Sequence, residues 1–501
     1  MPIDRRSVLR TGAVAAAGLA LAPGSPTPSA AAAPHPRPLD PGPAAWRDLR
    51  RRLSPAARLY RPGDPDYPLQ AVADNQRYAA VRPAGVLACA TEDDVSAAVR
   101  WCTRHDVPLA PRSGGHNYAG YSTTTGLVVS LRAMNRVTPA GRRLHLGGGA
   151  TNSDVYAARA AGLYFPGGRC PGVGVAGLTL GGGLGFNDRK WGLTCDRLVE
   201  TRLVLADGTL VRAAADENPD LFWACRGGAG GNFGINTAFV FDAVPVDRQR
   251  ATVFDLTFPL TAAQPAVGEL QHLLDADRAG NLDIRVGFKN TGDGHTVLWF
   301  LGQYLGPEGI LRRLLAPILE LHPDKAFIEE RDFWTAQDYL MEPPGAEDCY
   351  ASKSLVPDRW LSPATVADIV EWTRTWQPGP SGATGYVTLF AMGGASDRPR
   401  PDETAYPHRT ATYVIDIGTH WKPGTPSDQV DRLLAQTRAV HHTLRRRLNT
   451  HSAYVNFPDP DLTDWQHAYY GDNYTRLTLV KHRYDPAGLF HYAQGITPQN
   501  V

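Results

Sequence analysis

Three glycine-dense runs carry the residues whose types could do chemistry. The first reads Pro111-Arg112-Ser113-Gly114-Gly115-His116-Asn117-Tyr118. Paired glycines let the backbone approach a ligand closely and turn several N–H groups toward a phosphate. An imidazole at the end of such a loop is set against whatever the loop cradles; a glycine-rich turn with an incidental histidine reads the same way. The second run is Gly167-Gly168-Arg169-Cys170-Pro171-Gly172-Val173-Gly174-Val175-Ala176-Gly177-Leu178, continued by Leu180-Gly181-Gly182-Gly183-Leu184-Gly185. It contains a literal G-x-G-x-x-G at Gly172, Gly174 and Gly177. A dinucleotide fingerprint of that form closes a hydrophobic strand and is followed ~20 residues later by an acid. The preceding Phe165-Pro166-Gly167-Gly168-Arg169-Cys170-Pro171 is no such strand, so the run is expected to be irregular backbone wrapping a diphosphate. Cys170 offers a thiol there, although a free cysteine is commonly just a small buried hydrophobe. The third run, Phe222 to Ile235, includes Gly227-Gly228, Gly230-Gly231, Asn232 and Phe233. Three such loops in one stretch suggest a single extended cofactor touched from several sides.

The elements that must position these loops are legible in part. Thr91–His105 reads as a helix with Thr91 as its N-cap. Leu127–Leu131 reads as a strand, as do Glu200–Leu205 and Leu210–Val211, the latter two joined at Asp207-Gly208. From about residue 246 to 450 the texture changes. Leu282, Ile284, Val286 and Phe288 alternate with Asp283, Arg285, Gly287 and Lys289, the period of a half-buried strand. Val297–Tyr304, Tyr386–Phe390 and Thr412–Ile417 look similar, with helical stretches at Ile310–Leu321, Ala364–Trp376 and Gln429–Leu448. The expected fold class is α+β, with an antiparallel sheet covered by helices in this part. Six of the eleven tryptophans fall here, as core or as pocket lining.

Bulk properties bound the reading further. A chain of 501 residues exceeds one ordinary core. Hydrophobic content of 43% and charged content of 20% describe a globular protein. With 51 basic and 50 acidic residues, no cationic excess exists to hold nucleic acid or an anionic membrane. The six cysteines form no C-x-x-C pair and no H-E-x-x-H occurs, so no metal site is expected; one or two disulfides stay open. Residues 1–33 have a charged start, a short apolar run from Thr11 to Ala22 and a small-residue exit, the pattern of a signal peptide. Paired Arg5-Arg6 resembles a twin-arginine signal, which implies export of a folded protein with no membrane span in its mature form. Residues 34–65 read as a linker and N-terminal extension.

Taken together, the motifs resemble the FAD-binding module of the berberine bridge enzyme-like oxidases, within the vanillyl-alcohol oxidase (PCMH-type FAD-binding) superfamily. The resemblance runs from about Tyr67 to Ala243. It resumes at Tyr469-Tyr470-Gly471-Asp472-Asn473-Tyr474 and Val480-Lys481 through Phe490 and Gln494-Gly495-Ile496. It implies a two-subdomain FAD-binding domain over 66–245, a substrate domain over 246–450, and a C-terminal segment, 451–501, returning to the first. It also implies bicovalent FAD, with His116 bonded to the flavin 8α carbon and Cys170 to carbon 6. Val173 matches the position lining the oxygen approach, where a small branched residue resembles oxidases. Tyr454, in Tyr454-Val455-Asn456-Phe457, is similar to a Y-x-N-Y motif whose tyrosine is the base. The implied reaction sends hydride from a hydroxyl-bearing carbon to flavin N5 and the hydroxyl proton to Tyr454, with O2 reduced to hydrogen peroxide. Phe390 stands three residues before Gly393-Gly394, where sugar-oxidising members carry an assisting carboxylate or tyrosine. Tyr386, Glu403 or another relay is therefore expected to assist. The substrate is expected to be a sugar or a secondary-metabolite alcohol. Oxidative cyclisation or desaturation, or a non-catalytic FAD-binding module, are the other readings.

Overall fold

The computed structural model describes residues 39–342 and 348–499. The predicted leader lies outside them. The expected N-terminal extension is built into the fold from Pro43 onward. The Pro43–Arg52 helix stacks Trp46 on Trp101, ring centroids 4.9 Å apart, and Arg58–Tyr60 is an edge strand.

Two larger sheets and a two-stranded pair, Leu163–Tyr164 with Val244–Pro245, occupy the first half. One runs Arg58–Tyr60, Gly85–Ala88, Leu127–Ser130, Leu109–Arg112, with parallel pairing between the last three. The Glu92–His105 helix packs beside it, capped as its sequence indicates: Thr91 and Asp94 form a reciprocal capping box. The other sheet is antiparallel, in the order Val137–Ala140, Arg143–Gly147, Ile235–Asp242, Leu198–Val204, Leu210–Ala214. The first glycine-rich loop follows Leu109–Arg112, the second follows Leu163–Tyr164, and the third runs from the Pro219–Ala224 helix into Ile235–Asp242.

The second half is a seven-stranded antiparallel sheet. Its order is Lys325–Asp332, Arg250–Phe258, Thr296–Tyr304, Leu282–Asn290, Thr384–Ala391, Tyr413–Trp421, Cys349–Leu355. Ile284, Val286, Phe288, Val387, Leu389, Ile415 and Ile417 all point to one face. There they form a single apolar core with the helices Ala263–Ala276, Pro363–Thr375 and Ser427–Leu448. The opposite face is polar and aromatic. Because side chains alternate, directly paired residues share it: Arg285 with Phe390, Lys289 with Tyr386, Tyr386 with Gly418, Ser354 with Asp416, Tyr350 with His420.

Two expectations are corrected. The Leu282–Asn290 strand is buried on both faces rather than half-buried, because it is central and its polar face is covered too. The stretch Ile310–Leu321 is two short helices, Glu308–Leu314 and Ala316–Leu319. Pro317 lacks an N–H and its ring crowds the preceding turn, so a continuous helix breaks there.

Candidate active site

The His116 and Cys170 loops are pressed together backbone to backbone. A Cβ on Gly114 would sit 2.3 Å from Gly174 N and 2.4 Å from Gly172 O, so only glycine permits the contact. Gly172 in turn lies against the His116 ring, where a Cβ would be 2.8 Å from Nε2. Both reactive side chains are thereby delivered to one edge, half-exposed. The second loop is pinned from behind: Asn152 Nδ2 donates to Cys170 O at 3.0 Å, and Val175 N donates to Ala150 O at 2.9 Å. The G-x-G-x-x-G follows no parallel strand; it enters the six-residue helix Val175–Leu180.

Asp74 and Asn75, which sequence reading passed over, join this edge to the large sheet. Asp74 Oδ2 lies 3.2 Å from His116 Nδ1 and accepts the Tyr350 hydroxyl at 2.9 Å. Burial pushes Asp74 up, but the His116 contact and the Tyr350 hydroxyl outweigh it and leave the carboxyl below its ordinary range. The fully buried Asn75 donates to the carbonyls of both Tyr118 and Tyr350 and accepts from Tyr350 N. Tyr118 then packs edge-on to Tyr350 and stacks on Phe457.

From Tyr350 the polar face continues. Tyr350 stacks on His420, and His420 packs tilted against Tyr386. The Tyr386 hydroxyl reaches Asp416 Oδ2 at 3.4 Å, while the Ser352 hydroxyl donates to Asp416 Oδ1. Burial raises Asp416 to about 7, with Ser352 and Tyr386 holding it from going higher. Burial and the Asp416 charge hold Tyr386 well above an ordinary phenol. Gly418 and Gly287 leave room for the rings of Tyr386 and Trp299 to lie flat on the sheet. Trp299, paired with Gly287, lies on this polar face.

Tyr454 is placed differently. It is 1% exposed, within an apolar cluster that includes Tyr406 and Leu184. Its oxygen accepts from Gly183 N at 2.9 Å and Asn456 Nδ2 at 3.1 Å. Burial raises its pKa; these two donors offset only part of that. Glu403, the other suggested helper, is exposed and accepts from Arg400 N.

Several residues expected at the cofactor use their side chains to build the frame instead. Arg112 is spent on the carbonyls of Gln70, Ala71, Val72 and Ser122, the first three on the segment leading to Asp74. Ser113 Oγ donates to Gly148 O, and Asn117 Oδ1 accepts from Ala119 N and Tyr121 N. Asn232 ties Gly228 O to Ile496 N. Asn473 donates to Pro401 O, Thr404 O and Ala405 O, and Tyr474 stacks on Tyr470. Phe233 and Ile235 are buried core. Leu178 contributes its carbonyl to Asn456, and Gly115, Gly182, Gly183 and Gly231 turn the loops with positive φ. The six cysteines are all free, so neither of the disulfides left open by the sequence is formed.

This fold and this pair of loops define an FAD-dependent oxidoreductase, and the chain belongs to the berberine bridge enzyme-like FAD-linked oxidases. Residues 83–214 match the FAD binding domain family and residues 453–497 the berberine and berberine-like family. The chain is 31% identical over 458 residues to YgaK, an uncharacterised FAD-linked oxidoreductase of Bacillus subtilis (strain 168), covering 88% of this chain and 97% of that one. It is 30% identical over 456 residues to a xylooligosaccharide oxidase of Thermothelomyces thermophilus, covering 84% and 88%. Among solved structures, it superposes on Physcomitrella patens BBE-like 1 with a TM-score of 0.80 at 26% identity, covering 91% and 100%. A xylooligosaccharide oxidase from Myceliophthora thermophila C1 with xylobiose gives 0.79 at 26%, covering 92% and 100%.

The loops fit FAD. Gly177 has no atom within 4 Å of a would-be Cβ, and the facing Gly230 meets nothing nearer than 3.5 Å. That leaves side-chain-free ground between the second and third loops, where a diphosphate can lie against backbone.

Proposed function

We propose that the protein is an oxidase that carries FAD on His116 and Cys170 and oxidises a hydroxyl-bearing carbon of a sugar unit. The observation that carries the reading is the unbroken contact path from His116 through Asp74, Tyr350 and His420 to Tyr386 and Asp416. It sets a proton-accepting pair on the sheet face beside the cofactor edge. When bound, the flavin supplies the hydride acceptor at N5 and hands the electrons to dioxygen, giving hydrogen peroxide.

The chain's own groups do the rest. Tyr386 takes the substrate hydroxyl proton and relays it to Asp416, whose raised pKa matches it to that task near neutrality. Tyr454 meets this role less well than the sequence implies. Its oxygen is buried and held by two donors, so it acts by fixing Gly183 and Asn456. Trp299, Tyr386 and Tyr350 line a wall of flat apolar faces and polar edges that suits pyranose rings. The named activity of the xylooligosaccharide oxidase relatives points the same way. Val173, half-exposed after Cys170, supports the choice of oxygen as acceptor. Arg5-Arg6 and the apolar run after it support export by the twin-arginine route.

Anaerobic stopped-flow reduction with a panel of oligosaccharides and simple alcohols tests the reading, with peroxide release in air as the second signal. Tyr386→Phe is expected to slow flavin reduction by about 10²–10⁴, and Tyr454→Phe by only a few-fold. The reverse order returns the base to Tyr454. Oxidation of simple alcohols in preference to every sugar removes the substrate assignment.

A further inference from the structure

The thiol of Cys170 does not stand alone. It donates to Glu342 Oε2 at 3.0 Å, across 172 residues of sequence. Glu342 is held there twice more: its backbone N–H donates to Arg169 O at 3.1 Å, and its Oε1 lies 3.3 Å from Arg169 Nη2. One carboxylate oxygen is thus anchored by the guanidinium next to the cysteine, and the other is left for the sulfur. Arg169 is oriented in turn over the Phe186 ring, at 5.9 Å.

Such an arrangement is a poor way to store a reactive thiolate. Burial and the Glu342 charge push the Cys170 thiol far above its ordinary value, and Arg169 offsets only part of that. The resting sulfur is therefore a protonated thiol, and its nucleophilicity waits for a base in contact with it. A nucleophile of this type is activated by an adjacent general base, and the group in contact with this sulfur is the Glu342 carboxylate.

The geometry points to Glu342 as the general base that forms the cysteinyl tether. Glu342 Oε2 takes the Sγ proton while Cys170 Sγ bonds to carbon 6 of the isoalloxazine. The hydrogen on that carbon leaves as a proton to solvent. The electron pair released passes through the ring system to dioxygen, which departs as hydrogen peroxide. Per tether, one S–H and one C–H bond break, one S–C bond forms, and one O2 is reduced by two electrons. Arg169 is a positioning residue that keeps Glu342 aimed at the sulfur. This inference rests on the two-tether reading above and concerns how one tether is made.

The test uses holoenzyme and reads attachment rather than turnover. In His116→Ala protein the thioether is the only covalent link, so flavin that stays with acid-precipitated protein measures it directly. A flavin-bearing peptide containing Cys170, weighed by mass spectrometry, confirms it. His116→Ala is expected to retain flavin. His116→Ala with Glu342→Gln is expected to form the link about 10²-fold more slowly or worse, leaving flavin bound but extractable by acid. Raising the pH should restore link formation in the Gln variant, because solvent then removes the proton; a change that merely spoiled packing would show no such rescue. Undiminished retention in the Gln variant overturns this role for Glu342 while leaving both tethers standing. Loss of flavin from His116→Ala itself overturns the thioether reading and this inference with it.

Discussion

The two walls of the site are made by opposite means. On the loop side, Gly114, Gly172 and Gly174 touch through backbone, and the reactive His116 and Cys170 are carried in by the path of the chain. On the sheet side the backbone is regular, and the chemistry lies wholly in which side chains the register turns outward: Tyr350, Tyr386, Asp416, His420. A wall of the first kind fails when atoms are added. A wall of the second kind fails when functional groups are removed.

The largest effect should follow from adding one methyl group to the loop wall. Gly114→Ala puts a Cβ into Gly174 N and Gly172 O, both main-chain atoms that cannot swing aside. The loops must part, and the purified protein is expected to carry little or no flavin, read from its absorbance ratio. Full flavin content would mean that the loops are not jointly required. The next largest belongs to the sheet wall: Asp416→Asn should keep its flavin and slow reduction by about 10²–10⁴. In the unchanged enzyme the reduction rate should rise with pH through about 7, as Asp416 loses its proton; in the Asn variant that step should vanish. The sign for stability is opposite. A carboxyl whose folded-state pKa lies above its unfolded value favours the fold while protonated, and that advantage is lost as pH rises toward about 7. Melting of Asp416→Asn should therefore gain on the parent between pH 5 and pH 8. The smallest effect tests the comparison where it is weakest. Gly418→Ala adds a Cβ 2.3 Å from the Tyr386 hydroxyl, the far end of a side chain that can shift. Reduction should slow only roughly tenfold, with flavin content unchanged. A loss of flavin there would erase the distinction between the two walls.

The same contrast explains what could be read from the sequence. Glycine pairs announce a close backbone approach wherever they occur, so the loops around His116, Cys170 and Gly231 were visible as text. Thr91 announced the helix that it caps, because that signal is local to the first turn. The apolar alternation of Leu282–Phe288 showed a strand but not its central place, which depends on neighbours far along the chain. Asp74, Glu342 and Asp416 are ordinary acids in unremarkable surroundings. Each becomes functional only through a partner set by the fold: Tyr350 for Asp74, Cys170 for Glu342, Ser352 and Tyr386 for Asp416. Tyr454 shows the converse. Its motif was plain, yet the structure buries its hydroxyl under Gly183 and Asn456.

The last fifty residues hold the first wall shut. Gly183 meets Tyr454 from 271 positions away, Asn232 is tied to Ile496, and the buried Lys481 bridges Asn232 O, Asp485 and Phe490 O. A ribosome delivers those partners long after the loops they hold, Tyr454 271 positions after Gly183. The cradle is therefore made well before its clasps, and it gains its stiffness only once residues 454–496 have emerged. A nascent chain stalled short of residue 454 should emerge with both loops formed in outline and neither one locked.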